Sequence, residues 1–227
     1  MTDPISTSIV ILISGSGTNL QAIIDSVQSG QLNASIIAVL SNKPNAGGLQ
    51  RATKAGIRTC VVDNKAFASR ELFDERLLLE INALKPDLVI LAGFMRILSP
   101  EFVNELKGRL INIHPSLLPR YKGINTHQRA LDARDKTHGC SIHFVTEELD
   151  GGPVIAQSEV AVYTGDNPDT LASRVQTEEH RLYPLCIEWL CSKKLQLING
   201  TPVLDNKKLP ENGVKFRNSD YRSFFME

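Results

Sequence analysis

Short apolar runs that alternate with helical stretches limit what the first half of this chain can fold into. IVILI (9–13) is β-branched residues and Leu without a polar break, the mark of a strand buried on both faces. ASIIAVLSN (34–42), IRTCVVD (57–63), DLVILAG (87–93) and LINIH (110–114) are further strand candidates. LQAIIDSVQSG has helical spacing and a stop at Gly30, and LQRATKAG is helical. SRELFDERLLLEINALKP (69–86) carries apolar residues at 72, 73, 77, 78, 81 and 84 and ends at Pro86. Ser99-Pro100 reads as a cap with Pro at the first helical position. The alternation predicts an α/β fold, a doubly wound, mostly parallel twisted sheet.

After residue 135 the rhythm changes. THGCSIHFV (137–145) and PVIAQSEVAV (153–162), joined by TEELDGG, predict an antiparallel excursion. A long helix is expected from Asn167 to Lys193, opened by Asn167-Pro168, and QLINGTPVL (196–204) holds an Asn-Gly hairpin signal. The polar tail beyond is expected to pack loosely. The expected organisation is one domain over 8–205, its N-terminal half binding phosphate and its C-terminal half catalytic, with a tail over 206–227.

Composition narrows the partners. Lys plus Arg is 25 and Asp plus Glu is 25, so the formal charge is zero, against a general nucleic-acid binder. A small anionic ligand needs only a local site. No apolar run reaches membrane-span length, and MTDPISTS lacks the basic start and apolar stretch of a signal peptide. Cys60, Cys140, Cys186 and Cys191 show no CxxC spacing and read as reduced thiols of a cytoplasmic protein. His138 and His143 are five apart on a predicted strand and so face opposite ways, and no metal site is expected. Small-molecule substrates are expected, with monomer and homodimer both open.

Two motifs carry chemistry. Ser14-Gly15-Ser16-Gly17-Thr18-Asn19 joins the first strand to the first helix. Glycines admit close backbone approach, and the helix N-terminus suits a phosphate. A plain tight turn explains two glycines about as well. Leu20 stands where a dinucleotide fingerprint needs its third glycine, and Ser41-Asn42-Lys43 offers no acid for a ribose diol. In INIHPSLLP (111–119), Asn112 and His114 project from one face near a strand's C-terminal end, before two prolines. Both could be satisfied by backbone, as buried histidines usually are. Glu147-Glu148-Leu149-Asp150-Gly151-Gly152-Pro153 puts an acid on a tight loop. It is either a solvated hairpin turn or a carboxylate delivered beside His114. An amide donor, an imidazolium and a carboxylate together suit oxyanion stabilisation and proton movement in acyl transfer. No GxSxG is present, so the expected nucleophile is the substrate's own.

ISGSGTNLQAIID, SNKPNAGGLQRA, LAGFMRILSP, INIHPSLLPRYKGINTHQRAL, HGCSIHFVTEELDGGPVIAQ and RVQTEEHRLYP occur in that order. Over roughly residues 8 to 200 the chain resembles the phosphoribosylglycinamide formyltransferases of purine synthesis, the stand-alone bacterial type among the folate-dependent formyltransferases. NIHPSLLP together with ELDGGP is the most specific part. The resemblance implies a Rossmann-like formyltransferase fold and transfer of a formyl group from 10-formyltetrahydrofolate to the amine of 5-phosphoribosylglycinamide. It implies catalytic roles for Asn112, His114 and Asp150. Ribotide binding falls on Gly17, Thr18, Asn19 and on Gln176, Thr177, Glu178 and Glu179, with Glu179 facing the ribose. Folate binding falls on Arg70, on Met95, Arg96, Ile97 and Leu98, on Asn112, and on Thr146, Glu147, Glu148, Leu149 and Asp150. On their own, Met95, Ile97 and Leu98 would read as core and Arg70 as a surface charge. His143 receives no role, and Arg96 none beyond its place in the segment. The resemblance also implies a cis Leu118–Pro119 bond. The nearest alternative is a formyltetrahydrofolate deformylase, which uses water as nucleophile. A methionyl-tRNA formyltransferase would need a further basic domain. An NAD(P)-binding oxidoreductase is disfavoured by the incomplete glycine fingerprint, and a non-enzymatic nucleotide sensor would not need the His-Asp pairing.

Overall fold

The computed structural model describes residues 6–217. It divides into two compact units after Asn112. In the first, β1 (Thr7–Ile13) leads to α1 (Thr18–Gln28), β2 (Ala34–Ser41), α2 (Gly47–Lys54) and β3 (Thr59–Val61). Then come α3 (Arg70–Leu84), β4 (Leu88–Leu91), α4 (Pro100–Glu105) and β5 (Leu110–His114), whose last two residues open the second unit. β2 pairs with β1 and β3, β4 with β1, and β5 with β4, all parallel. The order β3-β2-β1-β4-β5 follows. Chain progression reverses between β1 and β4, the switch point at which such sheets form a crevice beyond their strand C-termini. Ile9–Ile13 and Val89–Ile90 are fully buried, as two-faced burial of parallel strands requires. Ser69 and Ser99 cap α3 and α4 with their hydroxyls, and Pro100 stands in the first turn of α4 as its spacing predicts.

The second unit contains α5 (Thr126–Asp132), β6 (Thr137–Phe144), β7 (Val154–Ala161) and α6 (Pro168–Cys191). β6 and β7 are antiparallel, the expected excursion. α6 packs on both strands and opens with a capping box between Asn167 and Thr170. β8 (Leu195–Ile198) and β9 (Thr201–Leu204) form the hairpin signalled by Asn199-Gly200, both at positive φ (50° and 78°) as its tight turn demands. β10 (Lys207–Lys208) extends this small sheet.

One expectation needs correction, and one element was not foreseen. Residues 115–135 carried no predicted element, yet α5 lies there, too short to show a helical period. The tail is not loose throughout. β11 (Val214–Arg217) pairs in parallel with β7, and Phe216 is buried and stacks on Trp189 at 6.4 Å between ring centroids. One aromatic residue anchors a stretch that composition marks as polar. The tail expectation for 218–227 lies outside the described residues. Leu118–Pro119 is cis, as the resemblance implies.

Candidate active site

In the first unit two loops leave the switch point. The glycine loop runs from Ser14 to Gly17, and α1 begins at Thr18. Gly17 has φ 73°, and a Cβ there would come within 2.5 Å of Gly48 Cα in α2. Gly48 N donates to the Gly15 carbonyl at 3.0 Å, and Arg51 Nε donates to the Ser16 carbonyl at 2.8 Å. The glycine is therefore needed for backbone shape and helix contact as well as for any ligand. No side chain caps α1 and no acid lies in its first turn, so its positive end keeps the electrostatics an anion seeks. Thr18 and Asn19, the predicted phosphate residues, form that first turn.

The second loop is a strap from Ala92 to Ser99, between β4 and α4. Ser14 N donates to the Gly93 carbonyl at 3.1 Å, and the Ser14 hydroxyl accepts from Met95 N at 2.7 Å while donating to Asn42 Oδ1 at 2.6 Å. Met95 and Ile97 are 68% and 55% exposed, which removes both from the core, whereas Leu98 is buried. The Arg96 guanidinium lies over the Phe73 ring at 5.5 Å. Arg70, the first residue of α3, pairs with Glu71 at 3.2 Å on the surface. Asn112, two residues before His114 on β5, is half-buried.

In the second unit His114 and Asp150 meet. His114 is buried and Asp150 half-buried, with His114 Nδ1 3.4 Å from Asp150 Oδ2. His114 Nε2 donates to the Tyr121 carbonyl at 2.9 Å, and the same Asp150 oxygen accepts from Gly123 N at 2.8 Å. Both ring nitrogens of His114 thus face acceptors. Asp150 holds φ 49°, and a Cβ at Gly152 would run into the Phe144 carbonyl oxygen, which explains that glycine beside the acid. Glu148 takes an ion pair from Lys122 at 2.6 Å, and the Thr146 hydroxyl donates to the Glu148 carbonyl at 3.4 Å. Glu147 and Leu149 are exposed.

On α6, Glu178 and Glu179 are buried, Gln176 is half-buried and Thr177 is exposed. Glu178 accepts from the Ser158 hydroxyl at 2.9 Å and pairs with Arg181 at 3.1 Å. The Thr177 hydroxyl bonds back to the Ser173 carbonyl at 3.1 Å. Both side chains thus also brace the helix, Glu178 against β7.

His143 went unassigned from the residues. Its Nε2 lies 3.8 Å from Asp150 Oδ1, and its Nδ1 donates to the Phe144 carbonyl at 2.9 Å. Burial lowers its pKa to about 4, so it is neutral near pH 7 with its proton on Nδ1. Spacing along one strand could not reveal this, because the partner arrives on a loop. His138 reaches elsewhere, to His127 at 3.1 Å, and burial lowers its pKa to about 4 as well. Among the described residues no three His, Cys, Asp or Glu side chains are grouped to hold a metal ion, and no helix is long and apolar enough to cross a membrane. The four cysteines form no disulfide.

The first unit carries an anion-ready glycine loop and the second a close His-Asp pair, features of the kind that acyl transfer uses. The formyl transferase family model matches residues 7–187, and the chain belongs to that family. It is 52% identical to the phosphoribosylglycinamide formyltransferase of Escherichia coli over 206 residues, 91% of this chain and 97% of that protein. The Haemophilus influenzae protein of the same name is 43% identical over 90% of this chain and 97% of its own length. The solved structure of the phosphoribosylglycinamide formyltransferase from Coxiella burnetii superposes with a TM-score of 0.89 at 47% identity, covering 92% of this chain and 99% of that one.

Proposed function

We propose that this chain transfers the formyl group of 10-formyltetrahydrofolate to the amine of 5-phosphoribosylglycinamide, a step of purine synthesis. The observation that carries this reading is the close pairing of Asp150 with His114, two residues beyond Asn112, in a chain 52% identical to a phosphoribosylglycinamide formyltransferase over 97% of that protein. The substrate amine attacks the formyl carbon, the C–N bond forms, and the formyl oxygen becomes an oxyanion. Asn112 donates its amide N–H to that oxygen, and protonated His114 supplies a second donor. In the structure His114 Nε2–H points at the Tyr121 carbonyl, so that bond exchanges for the oxyanion as the reaction proceeds. Asp150 stabilises the imidazolium and orders a water that carries the proton from the attacking nitrogen to the folate nitrogen, which departs as the oxyanion collapses to a carbonyl and the bond between the formyl carbon and that nitrogen breaks. No covalent enzyme intermediate is required.

The ribotide phosphate sits on the backbone N–H groups around Gly17, Thr18 and Asn19, and Glu179 faces the ribose hydroxyls. Folate binding is assigned to Met95–Leu98, whose backbone reads the pterin, to Arg70, and to residues 146–150. The open strap with exposed Met95 and Ile97 suits a flat, apolar-faced ligand. The protein works in the cytoplasm on small molecules alone, as a monomer or homodimer. The test is the absorbance change of the folate with and without ribotide. Turnover that requires ribotide supports the transferase. Equal formate release without it would establish the deformylase instead.

A further inference from the structure

The strap between β4 and α4 is held at both ends by side chains from elsewhere in the first unit. At its start the Ser14 hydroxyl accepts from Met95 N. At its end Asp74 Oδ2 accepts from Ser99 N at 2.6 Å. Ser99 in turn caps α4, its hydroxyl accepting from Phe102 N at 3.3 Å. Between these clamps Met95 and Ile97 stay open to solvent. Fixed ends and an open middle are what a loop needs if its backbone groups are to meet a ligand without rearranging.

Asp74 is a costly way to hold one amide. It is 1% exposed, on the inward side of α3 with Phe73, Leu77 and Ile81. Its Oδ1 is buried with no hydrogen-bond partner. Burial raises its pKa, against the Ser99 N–H and the charges of Arg70 and Arg96. Arg96 Nε is also buried without a partner. An apolar residue at this position of α3 would escape these costs, since an unsatisfied buried polar group is destabilising. Departures of this kind from local consistency concentrate at functional sites.

We propose that Asp74 is a positioning residue for the folate: its carboxylate fixes Ser99 N and, together with Ser14, sets Met95–Leu98 in the conformation that receives the pterin. This rests on the folate assignment of the strap made above. Ser14 also leads directly into the glycine loop, so one hydroxyl braces the folate strap from the start of the phosphate loop.

The test varies both substrates for the wild type, Asp74→Ala, Asp74→Asn and Ser14→Ala. Asp74→Ala should raise the KM for 10-formyltetrahydrofolate by about tenfold or more, the size of one lost hydrogen bond to a charged group. The KM for ribotide and kcat should change little. Asp74→Asn keeps an acceptor for Ser99 N and should restore most of the folate affinity. Hydrogen exchange at the Ser99 amide should quicken in the Ala variant and not in the Asn variant. Equal rises in both KM values, loss of kcat alone, or no rescue by Asn would overturn the proposal. If Asp74→Ala fails to fold, Ser14→Ala decides, because releasing the other clamp must raise the folate KM selectively. A wild type that never formylates ribotide overturns the functional reading and this inference with it. An active wild type with unchanged constants in these variants overturns this inference alone.

Discussion

The glycine loop of the first unit and the His114–Asp150 pair of the second are built by opposite means. The loop is backbone chemistry at the end of a parallel strand: its groups are N–H donors, and its side chains mostly stay out of the way. The pair is side-chain chemistry, assembled when the loop after β6 brings a carboxylate to the end of β5. A backbone site is fixed by local geometry and tolerates changes of charge. A side-chain site depends on charge and tolerates little.

That contrast can be broken, and the largest effect should come from the pair. Asp150→Asn keeps the shape and removes the charge that faces His114. Turnover should fall by roughly 10²–10⁴, the range of general acid–base effects, while ribotide binding stays nearly intact. Asn112→Ala should cost about 10²–10³ for one oxyanion donor. Near-normal single-turnover rates in either variant would remove that residue from the mechanism.

The glycine loop should respond in stability first. Gly17→Ala meets both a positive φ and the Gly48 backbone, and should lose roughly 2–5 kcal/mol in urea unfolding. A Cβ at Gly15 has nothing within 4 Å. Gly15→Ala should therefore fold normally and raise only the ribotide KM. If it leaves both KM values alone, the loop is a turn and the phosphate binds elsewhere.

The histidines of the second unit make its stability depend on pH. His138 and His143 fall to about pKa 4 in the fold, against about 6.5 for an unfolded chain. Between these values the unfolded chain binds more protons, so stability drops as pH falls from about 6.5 to about 4 and levels off below. Urea midpoints across that window should show the slope, and His138→Asn should flatten part of it. A flat profile would mean that these rings are not held neutral by burial. The smallest change is expected at the α6 cap. Asn167→Ala should cost about 1 kcal/mol in thermal unfolding and leave turnover untouched.

Much of the first unit was legible because parallel strands buried on both faces write themselves as apolar runs, and because a loop after such a strand has its place fixed by topology. Asn112 and His114 stood out as polar residues breaking one of those runs. Asp150 was visible as an acid before Gly-Gly-Pro, with His114 as one candidate partner, but a solvated turn explained it as well. No spacing rule links a strand end to a loop beyond the next strand. His143 shows the limit more sharply: its role depends on the direction from which Asp150 arrives. Glu178 shows how a side chain can have partners that the sequence does not reveal. Its neighbourhood suggested a ligand residue, and its carboxylate is turned to Ser158 and Arg181. Asp74 gave no signal, since an acid within a predicted helix is ordinarily a solvated one.

β11 has a further consequence for the handling of the protein. By lying along β7 it covers a row of backbone donors and acceptors that would otherwise template pairing with another molecule. The strand that replaces β7 at that border is only four residues long, Val214–Arg217, and two of them are outward-facing cations, Lys215 and Arg217. Arg217 is tied back to Glu159 at 2.8 Å. A chain shortened to end before Val214 would keep its predicted catalytic groups and lose this guard. It should self-associate through β7 on concentration, and light scattering would record the aggregation while the full chain stays dispersed.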